Sequence, residues 1–176
     1  ETVSIVVFEN DRPISVKVLP VGSSDVTSDL ELSLKIPLTE AEQMKRGAVT
    51  NMDVPRRKVD DVIAIRFKDI FTLVGAHLKA IGKHRLLPAG IIITGGGSGI
   101  TTASDIARMT LRLPSQIGSF EGGAWRTIPG DAIWAVAYGI CKWGYATEQK
   151  EREHGIGYIF ENIKEQIGKL ARSFLP

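Results

Sequence analysis

Cysteine is nearly missing from this sequence: Cys141 is the only one in 176 residues. No internal disulfide can form, and a reducing compartment suits such a chain. No Cys/His spacing suits a zinc site, which removes the zinc-module classes. No run of 18 apolar residues occurs, which excludes a membrane-spanning helix, and nothing reads as a signal peptide. Charge of one sign is scarce, with 22 Lys and Arg against 20 Asp and Glu, a net of +2. With no basic stripe interleaved with aromatics, no nucleic-acid partner is expected. Internal repeats are absent.

What is present is ordinary for a globular chain: 43% hydrophobic and 24% charged residues, enough to build a core. Cys141 lies in the apolar run WAVAYGICKWG and is expected to be a buried, inert thiol. Trp125, Trp134 and Trp143 are expected to be packing anchors.

SIVVF and ISVKVL are β-rich runs separated by turn residues Glu9 to Pro13, which predicts a hairpin. VTSDLELSLKI has a helical rhythm at Val26, Leu30 and Leu34. Thr39 with Glu42 three residues on predicts a capping box for a short helix that stops at Gly47. Val59, Val62, Ile63, Phe67, Ile70, Val74, Leu78 and Ile81 form one apolar stripe, which predicts a long helix over 58–82. His77 and His84 are expected to be solvated helix residues. Residues 90–94 are apolar without alternation, as in a strand buried on both faces. A helix is expected over 101–111, a short strand over 113–117, a loop over 119–130, and a helix over 132–144 with Asp131 as its N-cap.

GIIITGGGSGITT, residues 90–102, places bare backbone between that strand and a helix. Glycines there let the chain turn through positive φ. They also let a ligand lie against the backbone near a helix N-terminus that favours negative charge. The stretch is not a dinucleotide fingerprint, because Ile100 stands where the last Gly belongs, and it has no Gly-Lys-Ser/Thr of a Walker loop. Glycine content alone leaves a tight turn and a nucleotide site equally open.

Four stretches together resemble the second half of an actin-fold ATPase, and within that superfamily the bacterial cell-division FtsA family. ETVSIVVFENDRPISVKVLPVGSSDVTSDLELSLKIPLTEAEQMK is similar to the family's run from its second phosphate loop into an inserted subdomain. DDVIAIRFKDIFTLV resembles the long helix of that subdomain, and LPAGIIITGGGSGI resembles the adenosine strand and loop. The C-terminal helix after a charged linker resembles the family's membrane anchor. The resemblance covers residues 1–176 but only the C-terminal half of a full member; the first lobe, with its phosphate loop and the strand before Glu1, is not in the sequence. SGITTAS lacks the Leu-Pro-Gly often found after the loop, and Ser115-Gln116-Ile117-Gly118 replaces a more basic Val-Arg-Ile-Gly.

The resemblance implies an α/β fold: an actin/ribonuclease H-like lobe (1–34 and 84–145), a small α+β inserted subdomain (35–83), a charged linker (146–154) and an amphipathic membrane-targeting helix (155–176). It implies ATP with Mg2+ as the ligand. Gly95, Gly96 and Gly97 match the loop laid against the adenosine and its phosphates, and Thr2 matches a residue of the second phosphate loop, though it also reads as a strand-surface Thr. Glu42 and Lys45 match the E-x-x-K placed beside adenine and ribose, and their helical spacing puts both on one face. No general base is visible, so weak or no ATPase activity is expected.

The tail is amphipathic in its own right. Ile156, Ile159, Phe160, Ile163, Ile167, Leu170, Phe174 and Leu175 make one stripe. Such a helix packs on its own domain, binds a partner groove or lies in a membrane interface; the resemblance implies the last. It also implies that the inserted subdomain receives the C-terminal tail of the tubulin-like FtsZ, with Arg66 as a bidentate anchor and Arg57 and Lys68 as steering charges. The alternative for Arg66 is a surface ion pair with Asp61 or Asp69. The implied role is a filament-forming tether of FtsZ at the cytoplasmic face of the plasma membrane, at the division septum. Two rivals share parts of the pattern. One is another actin-like scaffold, of pilus assembly or rod shape, which a C-terminal interfacial helix disfavours. The other is half of a sugar or acetate kinase, which would need a substrate-binding acid or base that 90–130 does not show.

Overall fold

The computed structural model describes residues 2–48, 54–100, 102–119 and 131–148. Residues 120–130 of the loop expected over 119–130, Trp125 among them, and the tail helix of 155–176 lie outside them. The chain forms two units, one ending at Ala135 and one starting at Val136.

The first unit opens with an antiparallel hairpin, β1 (Val3–Glu9) and β2 (Arg12–Leu19). Its turn is tighter than the residues suggested. Asn10 and Asp11 both take left-handed φ, 50° and 59°, so they form a two-residue loop and Glu9 pairs with Arg12. The register slips between Val7 and Phe8, where Pro13, which has no N–H to donate, is accommodated at a bulge. One face turns Val7 and Leu19 into the core, and the other leaves Val6, Phe8, Val16 and Val18 exposed.

Helix α1 (Ser23–Leu34) follows. The Asp25 carboxylate accepts the Gly22 N–H at 2.7 Å, closing the helix start. Val26 and Leu30 are fully buried, as their spacing predicts. Helix α2 (Leu38–Lys45) begins after Pro37. Thr39 therefore lies inside the first turn rather than at its cap, and no capping side-chain bond forms. The expected capping box is absent because Glu42 is drawn to two cations and a hydroxyl instead. Helix α3 (Arg56–Ala80) buries Val59, Ile63, Phe67, Ile70, Phe71, Val74 and Leu78 along one stripe, and Gly82 takes φ 70° just beyond its end.

Strand β3 (Ile91–Ile93) pairs in parallel with β4 (Ser115–Ile117), joined by α4 (Ala103–Leu111). Burial on both faces does not hold: Ile92 is 64% exposed. Among the described residues β3 has one strand neighbour, and only one of its faces meets the core. Gly90, at φ 76°, sits where Pro114 passes so close that a Cβ would lie 2.1 Å from its carbonyl oxygen.

In the second unit the described residues belong to one helix, α5, spanning 135–148 and so beginning at the last residue of the first unit. Residues 146–148, expected in the charged linker, are helical, and the Thr147 hydroxyl donates to the Trp143 carbonyl within that helix. Cys141 and Trp143 are exposed rather than buried. Trp134, just before it, is also exposed and is no packing anchor. No helix among the described residues is long and apolar enough to cross a membrane.

Candidate functional site

A cleft of about 660 Å³ lies between α1 and α2, lined by Ser24, Thr27, Glu42, Gln43, Lys45 and Arg46 among others. Local sequence sets its chemistry. Glu42 and Lys45 stand one helical turn apart on α2, and their ion pair closes at 2.6 Å. Thr27 comes from the buried face of α1, and its hydroxyl donates to Glu42 Oε2 at 2.6 Å. Lys45 Nζ donates to Thr27 Oγ1 at 2.8 Å and to the Ser23 carbonyl at 3.1 Å. Glu42 Oε1 accepts from Arg46 Nε at 2.8 Å.

A buried ammonium is tolerated because all its donors are met. Burial pushes the Glu42 carboxyl up, but hydrogen bonds from Lys45, Thr27 and Arg46, with the charge of Lys45, outweigh it and lower the pKa from 4.5 to about 2. A carboxylate held below its unfolded value stabilises the fold fully above pH 4.5, and the contribution is lost as pH falls from there toward 2. The stability lost in Glu42→Gln, read from urea midpoints, is therefore expected to be larger at about pH 7 than at about pH 3. Equal losses at both would show that the network does not hold the charge.

The glycine loop meets the start of the same helix α1. After β3 it turns through Gly95 at φ 90°, then makes one 3-10 turn over Gly96–Gly99. Two bonds fix its shape: Gly95 N–H donates to the Ala132 carbonyl at 2.7 Å, and the Ser98 hydroxyl donates to the Gly95 carbonyl at 2.6 Å. Gly97 lies against the start of α1, where a Cβ would be 3.5 Å from Ser23 Cβ. Ser23 in turn holds Lys45, so the loop and the E-x-x-K pair are joined through α1.

The glycines sort by what surrounds them. Gly90 is dictated by its close approach to Pro114. Among the described residues a Cβ on Gly95 or Gly96 would meet nothing within 4 Å, and Gly96 has no positive φ to require glycine. The backbone there is bare beside open space, which fits a ligand lying flat on the loop. Thr2 is exposed, one residue before β1; Val3 pairs with Leu19 at the end of the hairpin that leads into Ser23. Among the described residues no His, Cys, Asp or Glu cluster could hold a metal ion by itself.

Arg66 is elsewhere on the unit. Its guanidinium grips Asp29 of α1 through Nε at 2.5 Å and a terminal nitrogen at 2.8 Å. The expected partners Asp61 and Asp69 are displaced because Asp29 offers both oxygens across the α1–α3 packing. Arg57 and Lys68 are exposed. His77 is half-buried with Ser15 Oγ at 3.0 Å, not solvated, and His84 lies in the turn beyond α3. Residues 156–175 of the tail stripe lie outside the described residues.

Sequence reasoning missed Thr27, Ser23 and Asp29. Thr27 had a signal: with Leu30 and Leu34 it falls on the buried stripe of α1, where a hydroxyl needs a partner. Ser23 and Asp29 had none, since each acts through residues far along the chain.

Comparison with known proteins adds the family. The model for "Cell division protein FtsA" matches residues 1–139. Over 138 residues the chain is 29% identical to the cell division protein FtsA of Pseudomonas aeruginosa, covering 66% of this chain and 33% of that one. With that of Bacillus subtilis it shares 24% over 142 residues, 65% of this chain and 32% of the relative. The chain thus spans about a third of the length of the curated relatives it matches. Among solved structures, the PilM–PilN type IV pilus biogenesis complex aligns with a TM-score of 0.63 at 23% identity, over 82% of this chain and 43% of that chain. Ethanolamine utilization protein EutJ from Carboxydothermus hydrogenoformans aligns at 0.57 and 22%, over 76% and 42%. These two likenesses show the fold alone, α/β of the actin-like kind.

Proposed function

The chain belongs to the FtsA family of cell division proteins, and we propose that it serves there as an ATP-binding, actin-like tether between FtsZ and the membrane. The observation that carries the nucleotide part is the bare backbone at Gly95 and Gly96, in a loop whose Gly97 lies against Ser23, the residue that holds Lys45. ATP would lie with its sugar end toward Glu42 and Lys45, its phosphates toward Gly95, Gly96 and Gly97, and Thr2 at the phosphate end. Mg2+ would arrive with the phosphates, since the described side chains offer no cluster of their own. Glu42 is committed to Lys45, Thr27 and Arg46 and is not placed as a base for water. ATP therefore acts as an assembly ligand between copies of the chain.

The α-helical part over 35–83 receives the FtsZ tail, with Arg66, Arg57 and Lys68 supplying positive charge. The stripe from Ile156 to Leu175 lies on the cytoplasmic face of the plasma membrane at the septum. The family match supports this reading over a kinase half-domain.

Calorimetry tests the nucleotide part. Gly96→Ala, which introduces neither a clash nor strain, is expected to change stability by less than about 0.5 kcal/mol while weakening ATP binding about tenfold. ATP turnover stays below about 1 per second. Unchanged affinity in the variant sinks the placement of ATP on the loop. Fluorescence anisotropy with a labelled FtsZ tail peptide tests the tether. Micromolar binding is expected, lost in the Arg57→Glu/Lys68→Glu double variant, which leaves the Arg66–Asp29 grip intact. A folded chain that binds no peptide would instead be a scaffold of the pilus-assembly type.

A further inference from the structure

Lys45 is engaged on three sides. An ammonium has three N–H donors. Here they meet Thr27 Oγ1, the Ser23 carbonyl and Glu42 Oε2, at 2.8, 3.1 and 2.6 Å. Thr27 closes the ring. Its hydroxyl carries one proton, and Glu42 Oε2 at 2.6 Å takes it in preference to the Ser23 carbonyl at 3.4 Å. Its lone pair receives Lys45. Glu42 Oε2 is thus held from two sides, by groups almost wholly buried. Its other oxygen, Oε1, has only the exposed Arg46 as partner among the described residues. A long surface arginine is easily displaced, at little energetic cost.

We propose that Thr27 is the positioning residue of this cleft: it locks the Glu42 carboxylate so that Oε1 is the acceptor for a ribose hydroxyl, while Lys45 ties α2 to α1. The inference rests on the nucleotide reading of the cleft. A carboxylate oxygen accepts a sugar O–H directly, and a vicinal diol offers two such donors. Selectivity for the ribose then depends on a residue that never touches it. Thr27→Val keeps the shape and removes the hydroxyl; Thr27→Ser keeps the hydroxyl.

Calorimetry of the full chain with ATP and with 2′,3′-dideoxy-ATP reads the effect. The wild type is expected to prefer ATP by about tenfold. Thr27→Val should bring that preference to within about twofold, and Thr27→Ser should retain it. Equal weakening of both nucleotides in Thr27→Val, with the preference intact, would make Thr27 a packing residue and overturn the inference while leaving the nucleotide site standing. A wild type that binds ATP without preferring it overturns it as well. A wild type that binds no ATP removes the nucleotide reading instead. The ligand-free arm then decides the positioning: the 13C resonance of the Glu42 carboxyl should titrate at higher pH in Thr27→Val and stay in place in Thr27→Ser. A midpoint unmoved by Thr27→Val overturns the lock.

Discussion

Gly90→Val is expected to destabilise the first unit by about 3 kcal/mol or more, since left-handed backbone and overpacking each contribute of order 1–3. Gly90 holds φ at 76°, which a β-branched residue strongly resists. The added Cβ would fall 2.1 Å from the Pro114 carbonyl oxygen, and that oxygen accepts the Ile91 N–H at 2.8 Å. Relief therefore needs the start of β3 to move away from the residue before β4, which breaks the bond that aligns them. β3 delivers the chain into the glycine loop, so nucleotide affinity should fall with stability. The contrast is Gly96→Ala, which loses affinity alone. Urea unfolding followed by circular dichroism separates them; a Gly90→Val chain as stable as wild type would show that the β3–β4 register is not tight.

Leu30→Ala should destabilise the chain by about 2–5 kcal/mol, the range for truncating a fully enclosed leucine. Leu30 has no exposed surface and lies in the core with Ile63, Leu78, Val26 and Val59. It sits between Thr27 and the end of α1, so the cavity would loosen the helix that carries both the Thr27 hydroxyl and Asp29. Leu32, two residues on, is 75% exposed, and Leu32→Ala should shift stability by less than about 0.5 kcal/mol. Equal urea midpoints for the two variants would contradict the orientation of α1.

The hairpin, α1 and α3 were legible because each is written in local terms. Alternating β-branched residues around Asn10-Asp11, and apolar positions at three- and four-residue spacing, bury the same faces in any context that supplies a core. The loop was legible as a glycine run and its E-x-x-K partner as a helical pair. Their meeting was not legible, because it passes through Ser23, which looks like an ordinary polar residue of α1, and through Thr27, whose place on the buried stripe marks a hydroxyl needing a partner but not which one. The capping box at Thr39 failed for a related reason: Glu42 had a local partner on paper and better distant ones in space.

The sequence by itself determined the periodicities, the place of the hairpin and the shared helical face of Glu42 and Lys45, since these depend on neighbours within one helical turn or one hairpin. Only the tertiary structure decided which charges are spent and which surfaces are open. Arg66 met Asp29 rather than Asp61 or Asp69 because α1 packs against α3. Lys45 became buried with every donor engaged because α2 lies along α1. Ile92, Trp134, Trp143 and Cys141 stayed exposed despite apolar surroundings in sequence. Burial depends on what another element brings to a face, and no local pattern encodes that.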